Sequence, residues 1–393
     1  MKRIIITLGV VLLALSGCTY PYETILDTES DGIVIEGEIL IGDVAEFAMT
    51  RKFSLSTEME EIVDNISIPA DFVVEDSQGH LYRSGDRTVN YGYGVNYYLV
   101  DLTDADPSLS YRLHATNRAN GKEYVSEWSE VERGVVIDNM IYAPDSLGTS
   151  MDFRMSFHAP AQNANYMVKL RENWEYHSIY QAELYYYYDL VTLRDSLLPF
   201  ENGENTYYCW NENYLGKFVM LSAEELSDAV IVDHYLHSVP KTSRKLSYLY
   251  CLEATVIPLS KDAYTYWNYL KTLSEYSGSL FAPNPSDMRG NLYSASDPDE
   301  IVTGYVSATQ AAKSRLFFDN SVEEFYIYPH VGLDEAMVPI DQSDFAWYYN
   351  HEKYLPVYGE PMQGYFWAPR RCVDCRLEGG NKNKPAWWPN DHK

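Results

Sequence analysis

Short stretches in which apolar and polar residues alternate constrain the fold of this chain most. In the segment 151–158 (MDFRMSFH), Met or Phe occupies every second position and a polar residue stands between each pair. A β-strand points successive side chains to opposite faces of a sheet, so this alternation buries one face and leaves the other polar. Tyr166, Val168 and Leu170 continue the pattern. The chain is therefore predicted to be mainly β.

Turn-forming residues between other short apolar runs predict β-hairpins in the first part of the chain. Phe72–Glu75 and Leu81–Arg83 flank the turn sequence 77–80 (SQGH). Asn120 and Gly121 separate two further runs and favour a two-residue turn, because both central residues of such a turn take positive φ. Short strands with regular turns are typical of an immunoglobulin-like or fibronectin-like sandwich.

One helix is predicted at residues 261–276. Ser260 can cap its first turn, Asp262 suits the positive end of the helix dipole, and Gly278 can end it. Its aromatic and aliphatic residues recur at helical spacing, which predicts core packing rather than a ligand site. The residues with this spacing are Tyr266, Trp267, Leu270 and Leu273.

The predicted fold is a pair of tandem immunoglobulin/fibronectin-like sandwich domains with an aromatic-rich insertion, one clear helix and an irregular, disulfide-stapled C-terminal segment. The predicted parts are a leader at 1–17, a lipidated cysteine and tether at 18–32, an N-terminal β-sandwich at 33–142, a second β-rich domain at 143–320 with its insertion at 173–243, and a wrapping segment at 321–393.

The first residues predict export from the cytoplasm and a lipid anchor. Lys2 and Arg3 precede an apolar run of about a dozen residues. Such a run is too short to span a bilayer as a helix, but it fits a secretory signal peptide. The run ends in the sequence LSGC at Cys18, which resembles the lipobox of bacterial lipoproteins. The resemblance implies that Cys18 is lipidated and begins the mature chain; an ordinary signal peptide is the alternative.

Four further cysteines are expected to form disulfides, because exported proteins occupy compartments where disulfides persist. Four cysteines allow three connectivities. We expect Cys372–Cys375 as a local loop and Cys209–Cys251 as a bridge. The alternatives are a zinc site, which would need two close pairs of thiolates, and a redox centre, which would need a helix N-terminus at the CxxC sequence.

The composition excludes one class of partner and suggests another. A net charge of −27 repels nucleic acid, whose binding requires basic patches. The chain also has 36 tyrosines, and tyrosine suits both half-exposed sheets and binding surfaces. The candidate ligand surface lies in the insertion and consists of Tyr185, Tyr186, Tyr187, Tyr188, Tyr207 and Trp210.

Signals for an enzyme are absent from the sequence. There is no HExxH, no GxSxG and no phosphate-binding loop. Acidic residues in the segment 27–38 have a spacing similar to a calcium-binding loop. However, strand-forming residues fill the second half of that segment, which favours a polar tether leading into the first strand. We therefore expect no catalytic residues, no metal and no cofactor.

Several segments resemble a family known as domain of unknown function 4249. They are the early IVIEGEI, the LFAPNPSDMRGN that follows the predicted helix, the GYVSA after it, and the terminal FWAPRRCVDCRLEGG and KPAWWPN. The resemblance extends over nearly the whole chain after Cys18, and its C-terminal block is the most specific part. It implies an outer-membrane lipoprotein of diderm bacteria, often encoded beside a TonB-dependent transporter, and it supplies no catalytic residues.

These observations predict an exported outer-membrane lipoprotein that serves a TonB-dependent nutrient transporter as a non-catalytic accessory or binding subunit. We expect it to face the cell surface rather than the periplasm and to take a glycan or peptide ligand. A structural or adhesive cell-surface sandwich module is the alternative, and a hydrolase with an unrecognised site is a third possibility.

Overall fold

The computed structural model describes residues 32–52, 59–90, 94–159, 165–201, 206–224, 230–276, 290–326, 337–360 and 363–389. The predicted leader at 1–17 and the predicted lipidation site Cys18 lie outside the described residues. Within these ranges, no helix is long and apolar enough to cross a membrane.

Two five-stranded sheets form an N-terminal sandwich. Its strands, with one short parallel pair beside them, are β1 (Ile33–Glu36), β2 (Ile39–Leu40), β3 (Val44–Arg51), β4 (Ala70–Asp76), β5 (Leu81–Arg83), β6 (Thr88–Val89), β7 (Tyr97–Asp101), β8 (Tyr111–Asn117), β9 (Glu123–Ser126), β18 (Leu292–Ser294), β19 (Val302–Thr303) and β20 (Ala308–Thr309). The sheet orders are β19-β1-β3-β7-β6 and β18-β9-β8-β4-β5, and β2 pairs with β20. A helix at Met59–Asn65 follows β3. Both sheets direct alternate apolar side chains, such as Phe47 and Phe72, into one core.

Both predicted hairpins of this sandwich form, but one of their turns differs from the prediction. The pairs β4–β5 and β8–β9 are antiparallel neighbours. The second hairpin has a longer connection, residues 118–122 between β8 and β9, and only Gly121 in it takes a positive φ, of 72°. The side chain of Asn120 instead accepts a hydrogen bond from the backbone N–H of Lys122 at 3.0 Å. This Asx-type bond stabilises the longer turn, so the predicted two-residue turn is wrong.

Strands from late in the sequence complete the N-terminal sandwich. β19 pairs in parallel with β1, and β18 pairs with β9. The predicted second domain, 143–320, therefore contains the segment 292–309, which packs with the first domain. Each of these strands has only two or three residues, too few to show a period in the sequence.

A second sandwich packs a three-stranded sheet against a four-stranded sheet. Its strands, with an additional hairpin, are β10 (Val136–Pro144), β11 (Ser150–His158), β12 (Asn165–His177), β13 (Leu184–Asp189), β14 (Arg194–Pro199), β15 (Tyr208–Ser222), β16 (Val230–Pro240), β17 (Leu249–Leu259) and β21 (Ala312–Asp319). The sheets have the orders β10-β11-β16 and β15-β12-β17-β21. Their shared core includes Phe153, Phe157, Tyr166 and Phe318, as the alternation predicted. The prediction of a mainly β fold with tandem sandwiches is confirmed.

The segment 173–243 divides its residues between the second sandwich and a separate hairpin. β15 and β16, which the sequence assigned to an insertion, are long strands of the two sheets. The hairpin β13–β14 forms its own two-stranded sheet. It contacts β23 (Tyr354–Glu360) near the C-terminus.

The predicted helix is confirmed at Lys261–Tyr276 and is called the long helix below. The hydroxyl of Ser260 accepts a hydrogen bond from the backbone N–H of Ala263 at 3.2 Å, which caps its first turn. The long helix packs on the face of the four-stranded sheet that points away from the core, where it meets Met167 and Ile257.

The C-terminal segment is less irregular than predicted, because it contains a three-stranded sheet. Its strands β22 (Val338–Ile340), β23 and β24 (Gly364–Pro369) have the order β22-β24-β23. Short helical turns occur at Asn320–Glu323, Gln342–Asp344, Phe345–Trp347, Tyr348–Glu352, Arg370–Val373 and Cys375–Glu378, and one at Arg244–Leu246 precedes β17. Near its end, buried Trp388 donates a hydrogen bond from Nε1 to Oε2 of Glu175 at 2.9 Å.

A disulfide joins Cys209 to Cys375, so the expected pairs Cys372–Cys375 and Cys209–Cys251 are wrong. Cys209 lies on β15 and Cys251 on β17, with β12 between them. Two strand spacings amount to roughly 9–10 Å, which exceeds the Cα separation that a disulfide tolerates. Cys372 is buried in a different apolar cluster, beside Val357. The C-terminal segment is thus stapled to β15, in agreement with the predicted disulfide-stapled segment.

Candidate functional site

The aromatic residues predicted as a ligand surface divide between two elements. Tyr185, Tyr187 and Tyr188 are exposed on β13. Tyr186 stacks on Tyr349 at 4.4 Å and donates a hydrogen bond to Asp195, so its ring belongs to the packing under the hairpin. The predicted surface is therefore narrower on this hairpin than the run of four tyrosines suggests.

The other two candidates lie at the start of β15. The ring of Tyr207 packs against the ring of His177 at 4.8 Å. Trp210 is buried beside Cys251 and Trp388. Trp210 therefore cannot present its ring to a ligand in this conformation, and its role here is packing.

A cleft between the two sandwiches forms a cavity within the described part of the chain. It has a volume of about 480 Å³, which lies within the range of small-molecule sites. Its floor is the outer face of β12, β15 and β17, and its roof comes from β1, β3, β7 and the turns beside them. The long helix closes one end with Tyr266, Trp267 and Leu270. Ligand sites commonly occupy such interfaces between domains.

Strand register arranges the floor of the cleft in rows that change from apolar to charged. Because Tyr166, Val168 and Leu170 face the core, the alternate residues Met167, Lys169 and Arg171 of β12 face the cleft. From the long helix outward, the rows are Met167 with Ile257, Lys169 with Thr255, and Arg171 with Glu253. Successive rows lie roughly 7 Å apart. A ligand on this floor would meet an apolar surface at one end and charges at the other.

A bulge in β15 lies directly opposite Lys169. Val168 pairs with Val219 and Leu170 pairs with Leu215, so residues 216–218 of β15 face the single residue Lys169 of β12. Bulges of this kind bend a strand and redirect its side chains, and they occur often beside functional sites. Here Gly216 and Phe218 both line the cleft.

Lys169 is the central charged group of the cleft. Its Nζ lies 2.6 Å from Oε2 of Glu38, a residue that is almost fully buried in the turn after β1. Burial by itself would lower the pKa of Lys169, but the negative charges of Glu38 and Glu36 raise that pKa above its ordinary value. The lysine is therefore held in its charged form at the boundary between the two sandwiches.

Glu36 faces the same space in a different electrostatic state. Tyr97 donates a hydrogen bond to its Oε2 at 3.3 Å, and Glu36 forms no ion pair within the described ranges. Burial raises the pKa of Glu36, against the opposing effects of this hydrogen bond and of the charge on Lys169. Burial and the neighbouring Glu36 also raise the pKa of Tyr97. A positively charged group placed here would stabilise the ionised carboxylate.

Glycine at position 37 allows both glutamates to approach the cleft. Gly37 has a φ of 140°, and a Cβ at this position would lie only 2.4 Å from the ring of Phe47. Any side chain would clash with the core of the N-terminal sandwich. Gly37 therefore permits the chain to turn sharply while Glu36 and Glu38 both line the cavity.

The helix end of the cleft is apolar and carries an unused hydrogen-bond donor. Trp267 packs edge-to-face on Phe218, with ring centroids 5.7 Å apart. Its indole Nε1–H is buried and has no acceptor among the described residues. A buried N–H without a partner is costly, so an acceptor supplied by a ligand would be favoured at this position.

A second charged cluster on β12 surrounds a buried carboxylate, and in this it differs from the cleft. Glu172 faces the core side, where its carboxylate contacts four partners: His237 at 3.1 Å, Asn213 at 2.8 Å, the Tyr250 hydroxyl at 3.0 Å and the ammonium group of Lys245. Burial opposes ionisation, but these contacts lower the pKa of Glu172 to about 2. The cluster is a structural ion pair network.

A comparison with known protein families shows to which family the chain belongs. Residues 19–315 match the family described as a domain of unknown function, DUF4249. The chain belongs to this family. The matched range includes the cleft, since Glu36, Lys169 and Trp267 all lie within it. The C-terminal sequences FWAPRRCVDCRLEGG and KPAWWPN, predicted to be the most specific part of the resemblance, lie beyond the match to DUF4249. No curated protein matches the chain significantly.

Sequence reasoning alone did not identify the cleft. The alternation in β12 predicts that Lys169 points to the face of the sheet that lies away from the core. This was the available signal that a polar residue of β12 faces something other than the sandwich interior. No pattern indicates that β1 and the long helix would cover that face. No group of three or more His, Cys, Asp or Glu within the described ranges is arranged to hold a metal.

Proposed function

We propose that this protein is a non-catalytic ligand-binding lipoprotein that holds a small nutrient in the cleft between its two sandwiches and serves a TonB-dependent transporter at the outer membrane. The observation that carries the proposal is the cleft itself, with its aromatic end, its charged end and the unpaired indole N–H of Trp267. Pockets with many apolar contacts and a few convergent polar groups are typical ligand sites.

The arrangement of charges supports binding rather than catalysis. Lys169 pairs with Glu38, Arg171 pairs with Glu212, and Glu253 pairs with Arg315. Paired groups of this kind orient a ligand through hydrogen bonds. A general base needs a pKa near the working pH and a free path to the proton that it removes. These cations and carboxylates already neutralise one another.

The lipid anchor and the transporter partner are supported by the N-terminal sequence and by the family resemblance. The lipobox-like sequence ends at Cys18, and the family match begins at the next residue. We infer that the tethered body faces the cell surface rather than the periplasm, so that it would meet a nutrient before the transporter does.

A pull-down from the native outer membrane tests the accessory role. The tagged full-length protein is expected to recover a large outer-membrane β-barrel protein. A Cys18→Ala variant, which should lose its anchor, serves as the control and is expected to recover much less. Recovery of equal amounts by both, or of no barrel by either, would contradict the role at the transporter.

An adhesive or structural role remains the second candidate, because one surface feature favours it. The tip of the β13–β14 hairpin exposes Leu190, Val191 and Leu193, which are 77%, 92% and 69% accessible. Exposed aliphatic side chains of this kind often contact another protein. Growth of a Leu190→Ser/Val191→Ser variant on a panel of nutrients, together with a cell-adhesion assay, separates the two roles. Lost adhesion with normal growth would favour the second candidate.

A further inference from the structure

The two ends of the cleft define what kind of molecule fits it. One end is built from Met167, Phe218, Ile257, Trp267 and Leu270, and the other contains Lys169, Glu36 and Glu38. A neutral sugar would bury hydroxyl groups against the apolar end, where few partners exist to satisfy them, and this is costly. A purely apolar molecule would leave the charged end desolvated. The cavity therefore favours a molecule with a large apolar group at one end and charges at the other.

The charged end offers both signs within one small space. Lys169 is a cation that is held in place by Glu38, and Glu36 is a carboxylate without an ion pair within the described ranges. A ligand carboxylate can share the ammonium group of Lys169, while a ligand ammonium group can pair with Glu36. Each new contact would be a charge-assisted hydrogen bond, which is stronger than a neutral one.

We propose that the cleft binds an apolar amino acid or short peptide as a zwitterion, with its ammonium group at Glu36, its carboxylate at Lys169 and its apolar side chain against Phe218 and Trp267. This inference rests on the proposed binding function and narrows it to one ligand class. In a peptide, a main-chain carbonyl would accept the hydrogen bond from the indole N–H of Trp267. The ligand would thereby satisfy a buried donor that has no acceptor among the described residues.

The geometry of the bulge provides a variant that blocks the cleft without disturbing the core. No described atom lies within 4 Å of the position that a Cβ would take at Gly216. Gly216 also lines the cavity. A Gly216→Phe side chain would therefore extend into open space beside the ligand position.

The test is titration calorimetry of the full mature chain with four probes of similar size. The probes are the dipeptide Leu-Phe, its N-acetylated form, its C-terminal amide and the neutral disaccharide maltose; free phenylalanine is added to separate an amino-acid site from a peptide site. Leu-Phe is expected to bind, and each blocked form is expected to bind at least tenfold more weakly. Gly216→Phe is expected to abolish the binding of Leu-Phe.

Two variants locate the contacts. Glu36→Gln is expected to weaken Leu-Phe at least tenfold and to leave the weak binding of N-acetyl-Leu-Phe nearly unchanged, because the acetylated probe lacks the ammonium group. Trp267→Phe is expected to weaken Leu-Phe without changing the preference for a free amine. Asp138→Asn removes a carboxylate that pairs with His158 on the surface, outside the cleft, and is expected to have no effect.

The outcomes distinguish the ligand class from the binding function. If maltose binds and Gly216→Phe blocks it, the ligand class is wrong and the cleft still functions as a binding site. If both blocked peptides bind as well as Leu-Phe, the zwitterion assignment is wrong. If no member of a broad library of sugars, peptides and amino acids binds the wild-type protein, the proposed function and this inference both fail.

Discussion

The two carboxylates Glu36 and Glu172 show how similar residues acquire different roles in this molecule. Glu172 is buried on β12, whereas Glu36 lies half-buried at the end of β1, and a lysine ammonium group acts on the pKa of each. Glu172 is enclosed by hydrogen-bond donors that hold it ionised, whereas Glu36 receives a bond from Tyr97 and faces a cavity. The pKa of Glu172 is therefore lowered, while burial raises the pKa of Glu36. A satisfied carboxylate stabilises the fold, and an incompletely satisfied one marks a site.

The largest effect is expected when the enclosed cluster is broken. Glu172→Gln removes the buried carboxylate that contacts His237, Asn213, Tyr250 and half-buried Lys245, and should lower the free energy of unfolding by about 3–5 kcal/mol. Urea unfolding followed by tryptophan fluorescence measures this loss. Glu212→Gln, which breaks a more exposed pair with Arg171, is the matched control and should cost less than about 1 kcal/mol. Equal losses in both variants would remove the contrast between enclosed and open clusters.

The pH dependence of stability gives the next largest effect. Glu172 has an ordinary pKa of 4.5 and a folded pKa of about 2, so the folded state binds its proton less readily than the unfolded state. Its contribution to stability is complete above about pH 5 and is lost as the pH falls toward 2. The shift corresponds to about 3 kcal/mol. Unfolding curves of wild type and Glu172→Gln should converge as the pH is lowered. A gap that stays constant between pH 7 and pH 3 would refute this assignment.

The lysine of the cleft should be less important for stability than the enclosed network. Lys169→Met leaves nearly buried Glu38 without its ammonium partner, and we expect a loss of about 1–2 kcal/mol, because a single ion pair is broken rather than the four contacts of Glu172. Thermal unfolding at neutral pH measures it. A loss as large as that of Glu172→Gln would show that Lys169 mainly stabilises the fold. It would weaken the assignment of Lys169 to the candidate ligand site.

The smallest effects on stability are expected at Glu36 and Gly216. Glu36→Gln removes a carboxyl group whose pKa is raised by burial. The variant should therefore be as stable as wild type at pH 4 and slightly more stable at pH 7. Gly216→Phe meets no described atom at its Cβ and should change stability by less than about 1 kcal/mol. Chemical unfolding at both pH values provides the check. Marked destabilisation by either change would show a structural role that the cleft model does not include.

The sequence predicted the elements of the fold well and their spatial neighbours poorly. Alternation at 151–158 predicted a buried strand, and the cap at Ser260 predicted the long helix, because both signals are local. The partner of Cys209 is Cys375, and the order β15-β12-β17 explains why Cys251 could not pair with it. That order is a property of the sheet and is invisible in cysteine spacing.

The candidate site was hidden for the same reason. Glu36, Lys169 and Trp267 come from three distant parts of the chain. The sequence around each of them has only the ordinary pattern of a strand or a helix. The tyrosine run at 185–188 attracted attention through composition, although Tyr186 contributes to packing. A cavity arises from how the two sandwiches meet, and no period of two or 3.6 residues encodes that contact.

The most direct test of the proposed site is a crystal structure of the protein soaked with Leu-Phe. The account predicts ligand density in the cleft, with its apolar side chain against Trp267 and its ammonium group within hydrogen-bond distance of Glu36. Density confined to the exposed tyrosines of β13, with only water between Glu36 and Trp267, would contradict it.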